Sequence, residues 1–132
     1  MKEIICIDTN ILIRFLLADH PQLSQKAKKI FLSAEIGKTK IYLDEVIIAE
    51  TVWLLTSFYK QKRGEIASQL LELISQPWII NPRKKIILEC LSLFSTGNLA
   101  FIDCWVYCVS KEISGKLETF DKKLEKLSKK TT

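Results

Sequence analysis

Four acidic residues occupy positions where an isolated carboxylate is unexpected. Asp8 follows an apolar, isoleucine-rich run that predicts a buried strand, and Asp121 follows a short β-prone segment. Glu50 and Asp103 are each the only acid inside a helix that is apolar nearly all round, which predicts that both helices are buried. A lone buried carboxylate is costly unless it is protonated, paired or bound to a metal, and no basic residue lies within the three apolar runs. If the four acids converge, their repulsion requires a cation, and carboxylate oxygens suit Mg²⁺ or Mn²⁺.

Such a carboxylate cluster with a divalent metal is typical of phosphodiester hydrolysis, in which the metal activates water and stabilises the attacking and leaving oxygens. Each acid also has a purely structural interpretation. Asp8 and Asp121 could each cap the helix that follows, because aspartate is a preferred N-cap residue. Glu50 and Asp103 could instead lie on a narrow solvent-facing stripe of an otherwise buried helix. The sequence pattern does not show that the four acids meet.

The elements that must position these acids alternate between strands and helices. This alternation predicts an α/β fold with a parallel sheet covered by helices on both faces. Asp8 and Asp121 would then lie at the carboxyl ends of strands, where open α/β sheets bind ligands. The predicted strands are Glu3–Asp8, Lys40–Leu43, Pro77–Asn81 and Leu117–Phe120, and the predicted helices are Thr9–Ala18, Gln22–Glu35, Glu45–Tyr59, Glu65–Ser75, Lys84–Phe94, Ala100–Ile113 and one that starts at Asp121.

The composition is that of an ordinary globular chain. A length of 132 residues, with 48% hydrophobic and 27% charged residues, predicts a single domain over residues 1–132 with a sizeable core. The formal net charge of +5 permits binding to a polyanion without establishing it. The tail Lys122–Lys130 is rich in lysine, and Leu124 and Leu127 keep a helical spacing there, which predicts a docked helix. Its lysines could contact phosphates or form a solvated basic face.

Cysteine usage and hydropathy indicate an intracellular location. The four cysteines, Cys6, Cys90, Cys104 and Cys108, show no zinc-binding pattern and are interpreted as small buried side chains in a reducing cytoplasm. No apolar run is long enough for a membrane span, and the N-terminus lacks the pattern of a signal peptide. We therefore expect a cytoplasmic protein with no membrane partner.

Four short motifs in this order resemble PIN-domain ribonucleases, and more closely the VapC-type toxins of toxin–antitoxin pairs. The resemblance extends over nearly the whole chain. The motifs are Asp8-Thr9-Asn10, Ala49-Glu50-Thr51-Val52-Trp53, Phe101-Ile102-Asp103 and Thr119-Phe120-Asp121.

The resemblance implies a three-layer PIN-like fold, with a central, mostly parallel sheet of four strands, or five, between layers of helices. It implies a catalytic, metal-binding pocket that binds Mg²⁺ or Mn²⁺ through Asp8, Glu50, Asp103 and Asp121. Thr9, Asn10 and Thr119 would support this pocket by hydrogen bonds. The implied activity is endonucleolytic cleavage of RNA, with tRNA or rRNA as frequent targets in the family. The implied partners are a second copy of the chain, in a homodimer, and a cognate antitoxin protein.

Two departures from the family pattern keep an alternative open. The stretch Asn98–Ile102 is uncharged, although family members often carry a further acid just before the late-helix aspartate. The chain also ends in Leu127–Thr132, so a fifth strand is reduced or missing. The alternative is a catalytically weak PIN-like module that binds RNA or protein. A phospho-receiver domain is disfavoured because two of the acids lie inside helices. No RNA-contacting residue can be assigned from the sequence.

Overall fold

Three parallel strands and seven helices make up the part of the chain that the computed structural model describes, residues 2–130. The predicted elements are confirmed to within two residues at each boundary, except for the strand predicted near the C-terminus. The elements are β1 (Glu3–Cys6), α1 (Thr9–Leu17), α2 (Pro21–Glu35), β2 (Thr39–Tyr42), α3 (Glu45–Ser57), α4 (Arg63–Ile74), β3 (Ile79–Ile80), α5 (Lys84–Thr96), α6 (Phe101–Glu112) and α7 (Lys122–Lys130).

The sheet has the order β1-β2-β3, and both strand pairs are parallel. The central strand β2 is the best covered, and its Ile41 is fully buried. Cys6 pairs with Tyr42, so β1 and β2 end level with each other at their carboxyl ends. The prediction of a parallel sheet flanked by helices is confirmed.

The predicted fourth strand, Leu117–Phe120, is wrong: β1, β2 and β3 are the strands of the described chain, so the sheet has neither four strands nor five. The segment crosses the surface in an extended form. Lys116 and Glu118 form an ion pair in solvent at 3.1 Å, and Phe120 is fully exposed. Leu117 is half-buried and packs against the core, and Thr119 is also half-buried. A β-prone composition does not suffice here, because strand formation depends on a paired neighbour and a buried face.

Without a fourth strand beside it, β1 is an edge strand, and this corrects the prediction that it is buried. Ile4 is 56% exposed, and Cys6 is also exposed. The side chains that are fully buried come mainly from the helices, with Ile41 of β2 and Ile79 of β3, and the helical ones include Leu12, Phe31, Ile48, Leu55, Leu70 and Leu91. None of the helices described in residues 2–130 combines the length and the apolar character that crossing a bilayer requires.

Local sequence fixes where the helices near the carboxyl edge of the sheet begin. The Asp8 carboxylate accepts a hydrogen bond from the Ile11 N–H at 3.0 Å, and Asp44 accepts one from Val46 at 2.8 Å. Each aspartate satisfies a backbone donor that the first turn of a helix leaves free. His20 caps α2 in the same way through its Nδ1 atom, which accepts from the Leu23 N–H at 3.0 Å.

Candidate active site

The carboxyl edge of the sheet presents acidic residues after two neighbouring strands. Because Cys6 and Tyr42 are paired and end their strands, Asp8 and Asp44 follow at the same distance along the chain. Partial desolvation, and then the charges of Glu45 and Asp44, raise the pKa of the Tyr42 hydroxyl. Acidic side chains therefore lie near the ends of both strands at this edge of the sheet.

A hydrogen bond joins two of the predicted site motifs. The Thr9 hydroxyl, in the first turn of α1, donates to Oε1 of Glu50 in the middle of α3. The two residues are 41 positions apart in the chain, and Thr9 is only 7% exposed. Thr9 follows Asp8 directly, so the folded chain brings the Asp8-Thr9 turn against the Glu50 segment. Thr9 takes the supporting contact to a carboxylate that the family resemblance predicts.

Glu50 lies on the exposed face of α3, and the prediction that its helix is buried all round is wrong. Val46 and Trp53, four residues before and three after Glu50, share this face and are 72% and 63% exposed. The opposite face packs into the core through Ile48, Val52 and Leu55. The solvent-facing interpretation of Glu50 is therefore the correct one, and its carboxylate is accessible to a cation or a substrate without a large desolvation cost.

Asp103 lies in the first turn of α6 and is half-buried. Helix α6 packs against both α3 and α5, and thus lies beside the helix that carries Glu50. Ala100, at the N-cap position, provides no side-chain hydrogen bond to the first turn. A carboxylate in this turn is favoured by the helix dipole, whose N-terminal end is positive.

Arg63, the first residue of α4, contacts the segment that leads into α6, the helix of Asp103. The sequence did not predict this role of Arg63. Its guanidinium donates to the backbone oxygens of Phe94, at 3.1 Å, and Leu99, and it lies 4.1 Å from the centre of the Phe94 ring. Leu99 is two residues before the first residue of α6. The sequence shows Arg63 only as part of a polar break, and no local signal indicates these contacts.

Asp121 is exposed and precedes α7. Its carboxylate accepts from the Leu124 N–H at 2.9 Å, so the capping interpretation of Asp121 is confirmed. Its own N–H donates to the Thr119 hydroxyl at 3.0 Å. Thr119 therefore orients Asp121 through the backbone, and one carboxylate oxygen of Asp121 remains outside this hydrogen bond.

The structure brings Thr9 to Glu50 and Thr119 to Asp121, whereas Asn10 lies exposed on α1. Within residues 2–130, no three histidine, cysteine, aspartate or glutamate side chains lie close enough together to hold a metal ion. In the same range, none of the four predicted acids forms an ion pair. Their hard oxygen donors fit Mg²⁺ or Mn²⁺ in kind, and their convergence on one ion stays a prediction.

Two of the three buried cysteines, Cys90 and Cys104, are unsuited to this chemistry because their thiol pKa values are raised. Burial raises the pKa of the Cys104 thiol to about 11, and a hydrogen bond with Cys108, together with burial, raises the pKa of Cys90. Both are therefore protonated thiols near neutral pH, whereas metal ligation and nucleophilic attack require the thiolate.

Comparison with known proteins identifies the family. The sequence profile of the PIN domain family matches residues 5–130, a range that includes all four predicted acids. The chain belongs to the PIN domain family. This PIN domain is similar to a VapC ribonuclease of Aquifex aeolicus (strain VF5), with 27% identity over 127 residues that cover 95% of this chain and 93% of the relative. No solved structure gives a significant match.

Proposed function

We propose that this PIN domain is an endoribonuclease that depends on Mg²⁺ or Mn²⁺ and acts as the toxin of a toxin–antitoxin pair. The observation that carries the proposal is the hydrogen bond from Thr9 to Glu50, because it unites two of the acid motifs at the carboxyl edge of the sheet. The similarity to a protein named VapC ribonuclease, over nearly the full length of both chains, supports the same activity.

Asp8, Glu50, Asp103 and Asp121 would hold the metal, which when bound supplies an activated water and stabilises charge on the phosphate oxygens. The surrounding residues orient these carboxylates. The Ile11 N–H fixes one oxygen of Asp8, and the Leu124 N–H fixes one oxygen of Asp121. The Thr9 hydroxyl does the same for Glu50. Such outer contacts commonly determine ligand orientation at metal sites.

The further parts of this proposal concern partners and location. The substrate would be RNA, with tRNA or rRNA as the targets the resemblance suggests. An antitoxin protein would hold the chain inactive, a second copy would complete a homodimer, and the protein would act in the cytoplasm. These parts rest on the family resemblance rather than on a contact within this chain.

A second candidate function is a PIN-like module that binds RNA or protein with little catalysis. The uncharged stretch Asn98–Ile102 favours it, because it offers no further carboxylate in the approach to Asp103. RNA binding without cleavage, at any concentration of Mg²⁺ or Mn²⁺, would establish this function instead.

The test is cleavage of end-labelled RNA by the wild type and by Asp8→Asn, with Mg²⁺, Mn²⁺ or EDTA. Asparagine is as good an N-cap as aspartate, so α1 keeps its start while the carboxylate charge is lost. We expect cleavage that EDTA abolishes and a fall of at least about 100-fold in the variant, because residues that merely support metal ligands already cost about 10–100-fold.

The matched control is Asp19→Asn, which removes a surface aspartate paired with Arg14 at 2.9 Å and lies outside the candidate site. It should cleave like the wild type. Full activity of a folded Asp8→Asn variant, or equal cleavage in EDTA, would contradict the proposal.

A further inference from the structure

The positive charge of the chain is concentrated in its last helix. Helix α7 carries five lysines and one glutamate, a formal charge of +4 out of the net +5 of the whole sequence. The formal charges of the other residues are therefore nearly balanced and sum to +1. A basic segment of nine residues favours association with a polyanion through its local electrostatic potential.

The lysines of α7 are divided between two faces of the helix. Leu124 is buried and anchors the helix to the core, with Leu127 packed partly beside it. Lys123, Lys126 and Lys130 share one face, at spacings of three and four residues. They line a cavity of about 380 Å³ together with the turn between α5 and α6, and we call this cavity the α7 groove.

The α7 groove has an unbalanced charge, in contrast to the other side of the helix. There, Glu125 pairs with Lys129 at 3.0 Å, beside a cavity that contains both lysines and glutamates. No carboxylate lines the α7 groove. Within residues 2–130, none of its three lysines takes part in an ion pair. Three unneutralised ammonium groups along one groove fit a ligand with repeated negative charges.

The α7 groove lies next to two of the predicted acids along the chain. Lys123 is two residues after Asp121, which caps the same helix, and the groove-lining Cys104 follows Asp103 directly. From Lys123 to Lys130 the helix rises by about 10 Å, at 1.5 Å per residue, so the lysines can meet several phosphates in succession. The groove therefore lies close along the chain to Asp103 and Asp121, although neither acid lines it.

We propose that the α7 groove binds the phosphate backbone of the RNA substrate through Lys123, Lys126 and Lys130 and delivers the strand to the acidic site. This inference rests on the proposed function and adds the surface that holds the substrate. Asp121 caps the helix that carries the three lysines, and this favours RNA over an acidic protein segment, because a strand bound there would lie near a residue proposed to cut it.

The test uses the full chain carrying Asp8→Asn, so that RNA is bound and not consumed. Binding of a fluorescein-labelled, unstructured single-stranded RNA is followed by fluorescence anisotropy over a range of salt concentrations. The groove variant combines Lys123→Gln, Lys126→Gln and Lys130→Gln, and glutamine retains helix propensity. The control combines Lys26→Gln, Lys28→Gln and Lys29→Gln on α2, which removes the same charge from exposed positions elsewhere.

For the groove variant we expect the slope of log affinity against log salt to become shallower by about 2, since each phosphate contact on a single strand contributes about 0.7. The control should keep the wild-type slope. The single variant Lys126→Gln should lose about 0.7 of slope, which keeps the test valid if the triple variant does not fold. Thermal melting establishes that each protein is folded.

An unchanged slope in the groove variant would overturn the proposal, as would an equal loss in the control. So would a groove variant that binds RNA normally but no longer binds a glutamate-rich peptide, since the groove would then take an acidic protein. Failure of the nuclease proposal would give a different result. RNA binding that depends on the three α7 lysines, with no cleavage by the wild type, would support RNA binding in the α7 groove and contradict only the proposed cleavage.

Discussion

At the scale of single residues, Asp8 and Asp121 each combine an observed structural role with a proposed chemical one. Each uses a carboxylate oxygen to cap a helix, at 3.0 and 2.9 Å, and each remains exposed. The sequence could predict both aspartates as caps and as candidate ligands, because Asp at the start of a helix is a strong local signal. The sequence could not choose between the two roles. The structure shows that each aspartate caps its helix, and the second carboxylate oxygen is outside that hydrogen bond.

Thr9 offers a sharp test of the contact between α1 and α3. Thr9→Val keeps the shape of the buried side chain and removes the hydroxyl that donates to Glu50. Glu50 is exposed, so water replaces the lost donor, and we expect the free energy of unfolding to change by no more than about 1 kcal/mol. RNA cleavage should fall by about 10–100-fold, because Glu50 loses its orientation.

The control for Thr9→Val is Thr51→Val. Thr51 is fully buried beside Glu50, but its hydroxyl donates only to the backbone oxygen of Ile47, at 2.8 Å. Cleavage kinetics and thermal melts are measured on both variants. Equal activity of Thr9→Val and the wild type would show that this hydrogen bond does not position the site.

The cysteines give a second prediction, from pKa and burial together. Cys6 is exposed, whereas Cys90, Cys104 and Cys108 are buried, and the pKa of Cys104 is about 11. A raised pKa leaves little Cys104 thiolate at pH 8, and burial shields Cys90 and Cys108 from the reagent, so only Cys6 should react quickly with a disulfide reagent. One thiol should titrate in the native protein and four in denaturant. Rapid reaction of a second thiol in the folded chain would contradict the burial of this cluster.

At the scale of elements, helix and strand positions could largely be predicted from local signals. Caps such as Asp44, the Pro21 that opens α2 and the spacing of apolar residues fix most boundaries to within two residues. The prediction failed where an element depends on a distant partner. The segment Leu117–Phe120 has a β-prone composition and forms no strand, and β1 is exposed in consequence.

Arg63 connects elements that are far apart in sequence, which is why the sequence did not reveal it. Its acceptors, Phe94 and Leu99, are 31 and 36 residues away. Arg63→Lys should lower the free energy of unfolding by about 1–3 kcal/mol, because lysine cannot donate to both oxygens and lie flat on the Phe94 ring. Chemical denaturation measures the loss.

The matched control for Arg63→Lys is Arg83→Lys. Arg83 is half-exposed and its pair with Glu45 is long, at 3.7 Å, so we expect a change within about 0.5 kcal/mol. Equal stability of the two variants would show that the Arg63 contacts do not hold the start of α6.

At the scale of the whole molecule, the free edge of β1 is the main departure from the expected four-stranded sheet. In amide hydrogen exchange, the backbone N–H groups of Glu118 and Phe120 should exchange quickly, because this segment forms no ladder with β1 in the described chain. Ile41 and Leu43 donate to Trp78 and Ile80 across β2 and β3 and should exchange slowly. Strong protection of residues 117–120 would contradict the three-stranded sheet.

The concentration of charge on α7 is also a property of the whole molecule, as would be the proposed convergence of the acids. The sequence shows that the tail is basic, but only the fold shows that Lys123, Lys126 and Lys130 line one groove without a carboxylate. The sequence likewise supplies four acids in a family-like order, and the contact from Thr9 to Glu50 joins only two of their segments. The proposed union of all four would depend on long-range packing and on a cation that local patterns do not contain.

The most direct test of this union is to measure Mn²⁺ binding to the wild type, Glu50→Gln and Asp103→Asn. Bound Mn²⁺ is detected as a loss of the electron paramagnetic resonance signal of free Mn²⁺. Glu112→Gln, which changes an exposed glutamate at the end of α6, is the control. We predict that the wild type and the control bind Mn²⁺ with the same affinity and that either site variant weakens binding at least tenfold. Equal binding by all four proteins, or no binding to the wild type at millimolar Mn²⁺, would contradict a shared carboxylate site.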